Sequence, residues 1–93
     1  MAMFMWELKV AEEWEYWYSK LDGSLLRIVE KRICRLEQEG HSYEHLGSGL
    51  QFFKDQFNGQ YRICFREEQK SKTRILHFVG DHKNYEHWLG MRG

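Results

Sequence analysis

The spacing of apolar residues changes period near the N-terminus, and this change restricts the chain to folds that combine strands with helices. Apolar side chains first occupy every second position, at Phe4, Trp6, Leu8 and Val10. Such period-two alternation is typical of a strand with one buried face. Beyond Ala11 the apolar residues recur at helical intervals instead. The sequence therefore predicts an N-terminal strand that leads directly into helical structure.

Two helices are predicted to follow that strand. The apolar residues of the first lie at helical spacing, at Trp14, Trp17, Tyr18 and Leu21. The second is predicted to begin after an N-cap at Asp22 or Ser24 and to end near Gly40, because these residue types favour helix termini. Its apolar stripe comprises Leu25, Val29, Arg32 with Ile33, and Leu36, with Ile28 beside it. We expect the two helices to form a hairpin and the stripe to pack into the core.

The second half of the chain predicts three antiparallel strands. They span residues 50–57, 60–66 and 73–80, after a polar loop over 41–49. Asn58-Gly59 joins the first two and is a strong signal for a β-hairpin. Ile75, Leu76, Phe78 and Val79 place apolar side chains on both faces of the third strand. This pattern predicts a central strand beside the N-terminal one, and residues 83–89 are predicted to form a last short helix.

This order of elements predicts an α+β fold in which residues 1–93 form a single domain. The predicted architecture is an N-terminal strand, a helix hairpin and an antiparallel meander, which give a four-stranded sheet with the helices packed on one face and a short C-terminal helix. A chain of 93 residues has room for one hydrophobic core. Four Trp, five Tyr and six Phe are expected to supply much of it.

The hairpin also determines which polar side chains share a face. A two-residue turn at Asn58-Gly59 pairs Asp55 with Arg62 across the strands. It also turns Lys54 towards the apparent core face, away from Arg62. Either a bulge before the turn brings Lys54 to the side of Arg62, which we favour, or Lys54 is not part of a site.

Charge is balanced over the whole chain but not along it. There are 14 basic and 14 acidic residues. Residues 1–53 carry six basic and nine acidic side chains, whereas residues 54–83 carry seven basic and four acidic ones. A basic second half is compatible with phosphate binding, although a solvated mixed surface accounts for the same counts.

The sequence gives no indication of secretion, membrane insertion or metal binding. Cys34 and Cys64 lack the spacing of a disulfide framework or a zinc site. The N-terminus lacks the features of a signal peptide, and no apolar run approaches the roughly 20 residues that cross a bilayer. We therefore expect a cytoplasmic protein with no metal, no cofactor and no membrane contact.

Two segments carry a resemblance to a known family. Residues 58–65 read NGQYRICF, and residues 75–85 read ILHFVGDHKNY. The Tyr61-Arg62 pair inside a strand, the Gly80-Asp81-His82 turn after the next strand and the order of elements resemble the RelE/ParE family of toxins. The resemblance implies a metal-independent endoribonuclease that cuts mRNA, commonly on the ribosome, and that is silenced by a cognate antitoxin.

The same resemblance implies four site residues. Arg62 matches the family arginine that holds the scissile phosphate. His82 stands where members carry an arginine or a histidine, the histidine form resembling the YafQ-type branch. Tyr85 lies near the catalytic tyrosine of the C-terminal segment, and Lys54 approximates a lysine of the second strand. These residue types suit RNA cleavage without a metal, which needs proton transfer and positive charge at the transition state.

Two other functions remain open at this point. A ParE-like chain would inhibit DNA gyrase by binding and would not hydrolyse RNA. A non-catalytic relative would keep the fold as a protein-interaction module, which a neutral chain rich in aromatic residues permits. We further expect the aromatic residues to leave apolar surface that an antitoxin covers.

Overall fold

The described residues, 5–47 and 51–92 of this computed structural model, form a mixed five-stranded sheet with three helices. In chain order the elements are β1 (Glu7–Val10), α1 (Trp14–Tyr18), α2 (Gly23–Leu36), β2 (Glu44–His45), β3 (Phe53–Phe57), β4 (Tyr61–Glu68), β5 (Thr73–Asp81) and α3 (His82–Arg92). The strand order is β1-β5-β4-β3-β2, and β1 runs parallel to β5 while the other pairs are antiparallel. The predicted α+β class, the central place of β5 and its pairing with the N-terminal strand are confirmed.

The predicted sheet of four strands gains a fifth, because β2 lies inside the segment predicted to be a loop. Glu44 pairs with Lys54, and His45 pairs with Phe53. Two residues are too few to produce a periodic sequence pattern, so this strand is visible only through its tertiary pairing.

The first strand follows the predicted alternation only in part. Phe4 lies outside the described residues. Trp6 is buried and Leu8 is half-buried, as expected, but Val10 is 60% exposed. Val10 is the last residue of β1, which forms an edge of the sheet.

The second helix begins as predicted and ends earlier. The Asp22 carboxylate accepts a hydrogen bond of 2.9 Å from the backbone amide of Leu25, which confirms Asp22 as the N-cap. The helix ends at Leu36 rather than near Gly40. The carbonyl of Glu37 accepts a 2.8 Å hydrogen bond from the Trp6 amide, so the chain beyond the helix is drawn to the segment before β1.

Helices cover both faces of the sheet rather than the single face predicted. Cross-strand partners share a face, and Asp55 pairs with Ile63, which pairs with Val79. We call this side the Asp55 face; α2 packs there, and its Arg32 binds Asp55. The opposite side, which we call the Arg62 face, also carries Lys54, Cys64 and Phe78. Helices α1 and α3 cover the Arg62 face through Trp17, Tyr85 and Trp88, which contact Phe78.

A β-bulge in β5 adjusts which side chains reach each face. Cys64 pairs with Phe78, but the next residue of β4, Phe65, pairs with Leu76, so His77 is an extra residue. Leu76 and Phe78 therefore lie on opposite faces although they are two positions apart. Alternation within the adjacent pairs Ile75-Leu76 and Phe78-Val79 places apolar side chains on both faces, and the bulge sets which member of each pair lies on which face.

The hairpin between β3 and β4 differs from the predicted two-residue turn. Phe57 pairs with Tyr61, so residues 58–60 form the connection, with positive φ at Asn58 (52°) and Gly59 (80°). The predicted pairing of Asp55 with Arg62 is wrong, because the longer connection shifts the register by one residue. The same shift turns Lys54 to the Arg62 face without a bulge in β3.

The ion pair between α2 and β3 generates a stability prediction. Arg32 donates to both carboxylate oxygens of Asp55, at 3.0 and 2.6 Å, and the Asp55 side chain is only 7% exposed. Arg32→Ala leaves that carboxylate buried without its partner. We expect the free energy of unfolding to fall by about 2 to 3 kcal/mol, less than for a fully buried pair because the Arg32 side chain is 24% exposed.

Urea unfolding measures this loss. The matched control is Arg27→Ala, because Arg27 is an exposed arginine of the same helix; its effect should stay within about 0.5 kcal/mol. Equal losses in the two variants would contradict a specific role for the Arg32–Asp55 pair.

Candidate functional site

Arg62, in the middle of the sheet, is a nearly buried cation without a carboxylate partner among the described residues. Its side chain is 9% exposed, and Nε is buried with no hydrogen-bond partner in the described part of the chain. Nη1 lies 3.5 Å from the Gln60 carbonyl oxygen, at the limit of hydrogen bonding. A buried polar atom that is left unpaired is unfavourable, so this guanidinium retains capacity to bind an anion.

The aromatic ring of Tyr85 holds the Arg62 guanidinium on one side. The guanidinium carbon lies 4.6 Å from the ring centroid, which is a cation–π contact. Tyr85 belongs to α3, is 8% exposed and also packs against Phe78. Burial raises the pKa of the Tyr85 hydroxyl, although the charge of Arg62 opposes this shift. The phenol is therefore neutral near pH 7, so it is able to donate a proton or a hydrogen bond.

The turn between β5 and α3 explains how the helix reaches this position. Gly80 pairs with Arg62 across the strands. A Cβ atom at Gly80 would lie 2.8 Å from the Phe78 ring and 3.3 Å from the Asn84 side chain, so the turn needs glycine to close. The Asp81 carboxylate accepts a 2.9 Å hydrogen bond from the backbone N–H of Asn84, a contact typical of a helix N-terminus.

His82 is the first residue of α3 and lies at the solvent-exposed edge of the site. Its side chain is 55% exposed, and its Nε2 lies 3.3 Å from the Glu86 carboxylate. Its ring centroid is 6.3 Å from that of Tyr85. The helix was predicted to begin at residue 83, but it begins at His82. His82 and Tyr85 are therefore three positions apart on one helix and lie next to each other on its surface.

Lys54 approaches the site from β3. It is on the Arg62 face, its side chain is 17% exposed, and its Nζ lies 3.8 Å from the Glu44 carboxylate. Its cross-strand partner is Cys64, two positions beyond Arg62 on β4. Lys54 and Arg62 are thus neighbours on one face, separated by the width of one strand pair.

Cys64 forms the buried floor between these two cations. Its side chain is fully buried, and burial raises the pKa of its thiol to about 12, although Arg62 and Lys54 both oppose the rise. The thiol is protonated at neutral pH and is therefore a poor nucleophile.

The structure thus brings the predicted residues to one region, but it does so to different degrees. Arg62 and Tyr85 are in direct contact, His82 lies beside Tyr85, and Lys54 is on the same face one strand away. Sequence reasoning missed Cys64 and Glu44. The strand alternation around Arg62 is enough to place Cys64 on its face, whereas no sequence signal marks Glu44, because its position depends on the short strand β2.

His77 is a buried histidine whose contacts are structural. His77 Nδ1 lies 2.7 Å from the Glu13 carboxylate, and its Nε2 accepts a 2.9 Å hydrogen bond from Arg66. Glu13 also accepts a hydrogen bond of 3.2 Å from the indole of Trp88. This network ties α1 to α3 and to the two central strands.

Comparison with solved structures identifies the architecture. The chain superposes on the RelBE2 toxin-antitoxin complex of Mycobacterium tuberculosis with a TM-score of 0.73 at 16% identity, covering 86% of this chain and 94% of that one. For the isolated RelE toxin of Escherichia coli the TM-score is 0.69 at 14% identity, with 95% and 99% covered. The fold is that of RelE toxins. The archaeal RelE-RelB complex of Pyrococcus horikoshii gives a TM-score of 0.64 at 14% identity, with 84% and 96% covered.

Sequence comparison adds nothing to this structural likeness: no protein-family model and no curated protein matches the chain. The likeness to these structures, at 14 to 16% identity, is one of fold. Within residues 5–47 and 51–92, no three His, Cys, Asp or Glu side chains converge as a metal site. No helix in that part of the chain has both the length and the apolar character to span a bilayer.

The Gly80 turn generates a prediction about the mounting of α3. Gly80→Ala forces a methyl group against the Phe78 ring, and we expect the free energy of unfolding to fall by about 1 to 3 kcal/mol. Gly90→Ala in the same helix meets no atom within 4 Å. Because alanine favours helix more than glycine does, this control should leave stability unchanged or raise it by up to about 1 kcal/mol. Thermal unfolding of both variants measures the contrast, and equal shifts would refute it.

The two thiols are predicted to differ in reactivity. Cys34 is exposed, whereas Cys64 is buried and protonated. Native protein treated with iodoacetamide at neutral pH should therefore gain one adduct, at Cys34, and a second only after denaturation. Peptide mass spectrometry locates the adducts. Comparable labelling of Cys64 in the native protein would show that the floor of the site is open to solvent.

Proposed function

We propose that this chain is the toxin of a toxin-antitoxin pair. In this proposal it is a metal-independent endoribonuclease that cleaves mRNA on the ribosome. The observation that supports this function is Arg62, a nearly buried guanidinium with an unpaired Nε, held by the Tyr85 ring on a sheet that superposes on RelE toxins. An arginine in this state is suited to a phosphodiester, because the planar guanidinium binds two phosphate oxygens at once.

The proposed reaction is an attack by the ribose 2′-OH on the adjacent phosphorus. The 2′-oxygen forms the new bond to phosphorus, the bond to the 5′-oxygen breaks, and the 2′ proton passes to a base while the 5′-oxygen receives a proton from an acid. Arg62 stabilises the negative charge that grows on the phosphate oxygens. Lys54, on the same face, supplies a second positive charge.

His82 is proposed to transfer a proton, because an imidazole exchanges protons near neutral pH. Its 55% exposure leaves it accessible to a bound RNA strand. Tyr85 has a protonated hydroxyl, as its raised pKa implies, and its ring orients Arg62. Tyr85 is therefore assigned to positioning the arginine and to donating a hydrogen bond, rather than to stacking on an RNA base through the ring face that Arg62 occupies.

The proposed partner is a cognate antitoxin, since two of the similar structures are toxin-antitoxin or RelE-RelB complexes. We expected exposed aromatic residues that an antitoxin would cover, but the described surface does not support the partner in this way. Of the aromatic side chains that the structure describes, only Tyr16 is largely exposed, at 59%. Action on translated mRNA places the proposed activity in the cytoplasm.

Cleavage of a translated mRNA in a cell-free system tests the function. Arg62→Ala and His82→Ala should each slow cleavage by about 10²-fold or more, because each removes charge stabilisation or proton transfer from the transition state. Arg62→Lys keeps the charge but loses the two-point contact, so it should remain well below wild type. Lys31→Ala, an exposed residue of α2 on the other side of the sheet, is the control and should cleave normally.

Thermal unfolding of each variant separates loss of activity from loss of folding. Growth arrest in cells should follow cleavage and should be relieved when a small protein encoded beside the gene is co-expressed. Full cleavage by both Arg62→Ala and His82→Ala would refute the mechanism. Growth arrest without mRNA cleavage would instead indicate a toxin that does not hydrolyse RNA.

A further inference from the structure

The cations of the candidate site differ in whether a carboxylate already faces them. Lys54 Nζ lies 3.8 Å from Glu44 Oε2. Arg62 has no such partner in the described residues. Asp55, which the sequence predicted to pair with Arg62, lies on the other face and is bound by Arg32. A carboxylate of the protein itself therefore faces Lys54, whereas none of the described carboxylates faces Arg62.

The pairing of two strands, and not only the length of its side chain, places Glu44 next to Lys54. It belongs to β2, and its cross-strand partner is Lys54 itself. Cross-strand partners project to the same face, so Glu44 lies on the Arg62 face. Burial is the main cause of the raised pKa of the Tyr85 hydroxyl, and the negative charge of Glu44 adds to it in the same direction.

The exposure of the pair indicates that it is able to open. The Glu44 side chain is 72% exposed, whereas that of Lys54 is 17% exposed. The lysine is thus held by its surroundings, while the carboxylate is free to swing into water. Exposed ion pairs of this kind contribute little to stability, so opening this pair costs little free energy.

We propose that Glu44 competes with the substrate for Lys54. The Glu44 carboxylate pairs with the Lys54 ammonium group until an RNA phosphate displaces it. This inference rests on the proposed function and adds a residue that sets how tightly RNA binds. The exchange of one anion for another reduces the gain from binding a phosphate at Lys54. It makes the site selective for ligands that also engage Arg62, because a single weak phosphate contact at Lys54 yields little.

Equilibrium binding tests the inference in a double-mutant cycle. The probe is a short fluorescein-labelled single-stranded RNA with 2′-O-methyl groups, which cannot be cleaved by 2′-OH attack, and Kd is measured by fluorescence anisotropy at low salt. Glu44→Gln keeps the size of the side chain and removes its charge. We expect Kd to fall by about two- to fivefold, the range that corresponds to an exposed ion pair.

The cycle separates displacement at Lys54 from general repulsion. In a Lys54→Met background the Glu44→Gln gain should disappear, because no ammonium remains for the carboxylate to occupy. Glu30→Gln, an exposed glutamate of α2 on the opposite side of the sheet, removes the same charge and should leave Kd unchanged. The gain from Glu44→Gln should also shrink as salt rises, since exposed charges are screened.

Three results would overturn the inference: no fall in Kd for Glu44→Gln, a fall that persists in the Lys54→Met background, or an equal fall for Glu30→Gln. Cleavage of translated mRNA distinguishes this failure from failure of the proposed function. If cleavage occurs and depends on Arg62 while Glu44→Gln has no effect, only the role of Glu44 is refuted. If wild type neither cleaves mRNA nor binds the RNA probe, both fail.

Discussion

The packing of aromatic rings around Phe78 is the constraint on which the candidate site depends. Phe78 is fully buried in β5 and meets Trp17 of α1 at 5.0 Å, Trp88 of α3 at 5.3 Å and Tyr85 at 6.2 Å between ring centroids. Offset and edge-on ring contacts at these distances stabilise a definite arrangement of the rings. Core packing therefore fixes where Tyr85 stands, and Tyr85 in turn fixes Arg62. Stability and site geometry are carried by the same residues.

The order of elements was predictable because each change in apolar period covers enough residues to be read. The N-cap at Asp22 and the central place of β5 were predictable for similar local reasons. Two features were not. Strand β2 has only two residues, and Asn58-Gly59 is compatible with connections of different length, so neither strand count nor hairpin register followed from local sequence. The partner of Asp55 is Arg32, 23 positions away, and such tertiary ion pairs leave no local pattern.

The placement of helices on both faces has a similar explanation. The apolar residues on both faces of β5 fit covering layers on both sides of the sheet, although we predicted helices on one face only. The sequence could not indicate which helix covers which face, because that choice depends on how the chain crosses the sheet edge between α1 and α2. For the site, the family resemblance named Arg62, His82, Tyr85 and Lys54, and the fold gathers them. Glu44, the acid opposite Lys54, could not be predicted because it belongs to the short strand β2.

Balanced overall charge does not make the site neutral. Two acidic side chains of the sheet are bound away from Arg62: Asp55 to Arg32, and Glu67 to Arg74 at 3.0 Å. The effect of this allocation is that Arg62 remains without a counter-ion in the described residues. A chain with equal numbers of acids and bases is thus able to present a local positive potential, because it is the pairing pattern and not the total that decides the field at one point.

The three-residue connection after β3 has a consequence for how such sites change during evolution. Lys54 and Arg62 are eight positions apart in the sequence, and they share a face because Phe57 pairs with Tyr61 and each side chain lies an odd number of positions from that pair. Because the two residues that flank the connection pair with each other, a loop of another length between the same strand residues keeps both side chains on one face. Relatives of this fold therefore need not conserve the interval between these two side chains. A search for the pair by fixed spacing would miss proteins in which the loop between the two strands is longer or shorter.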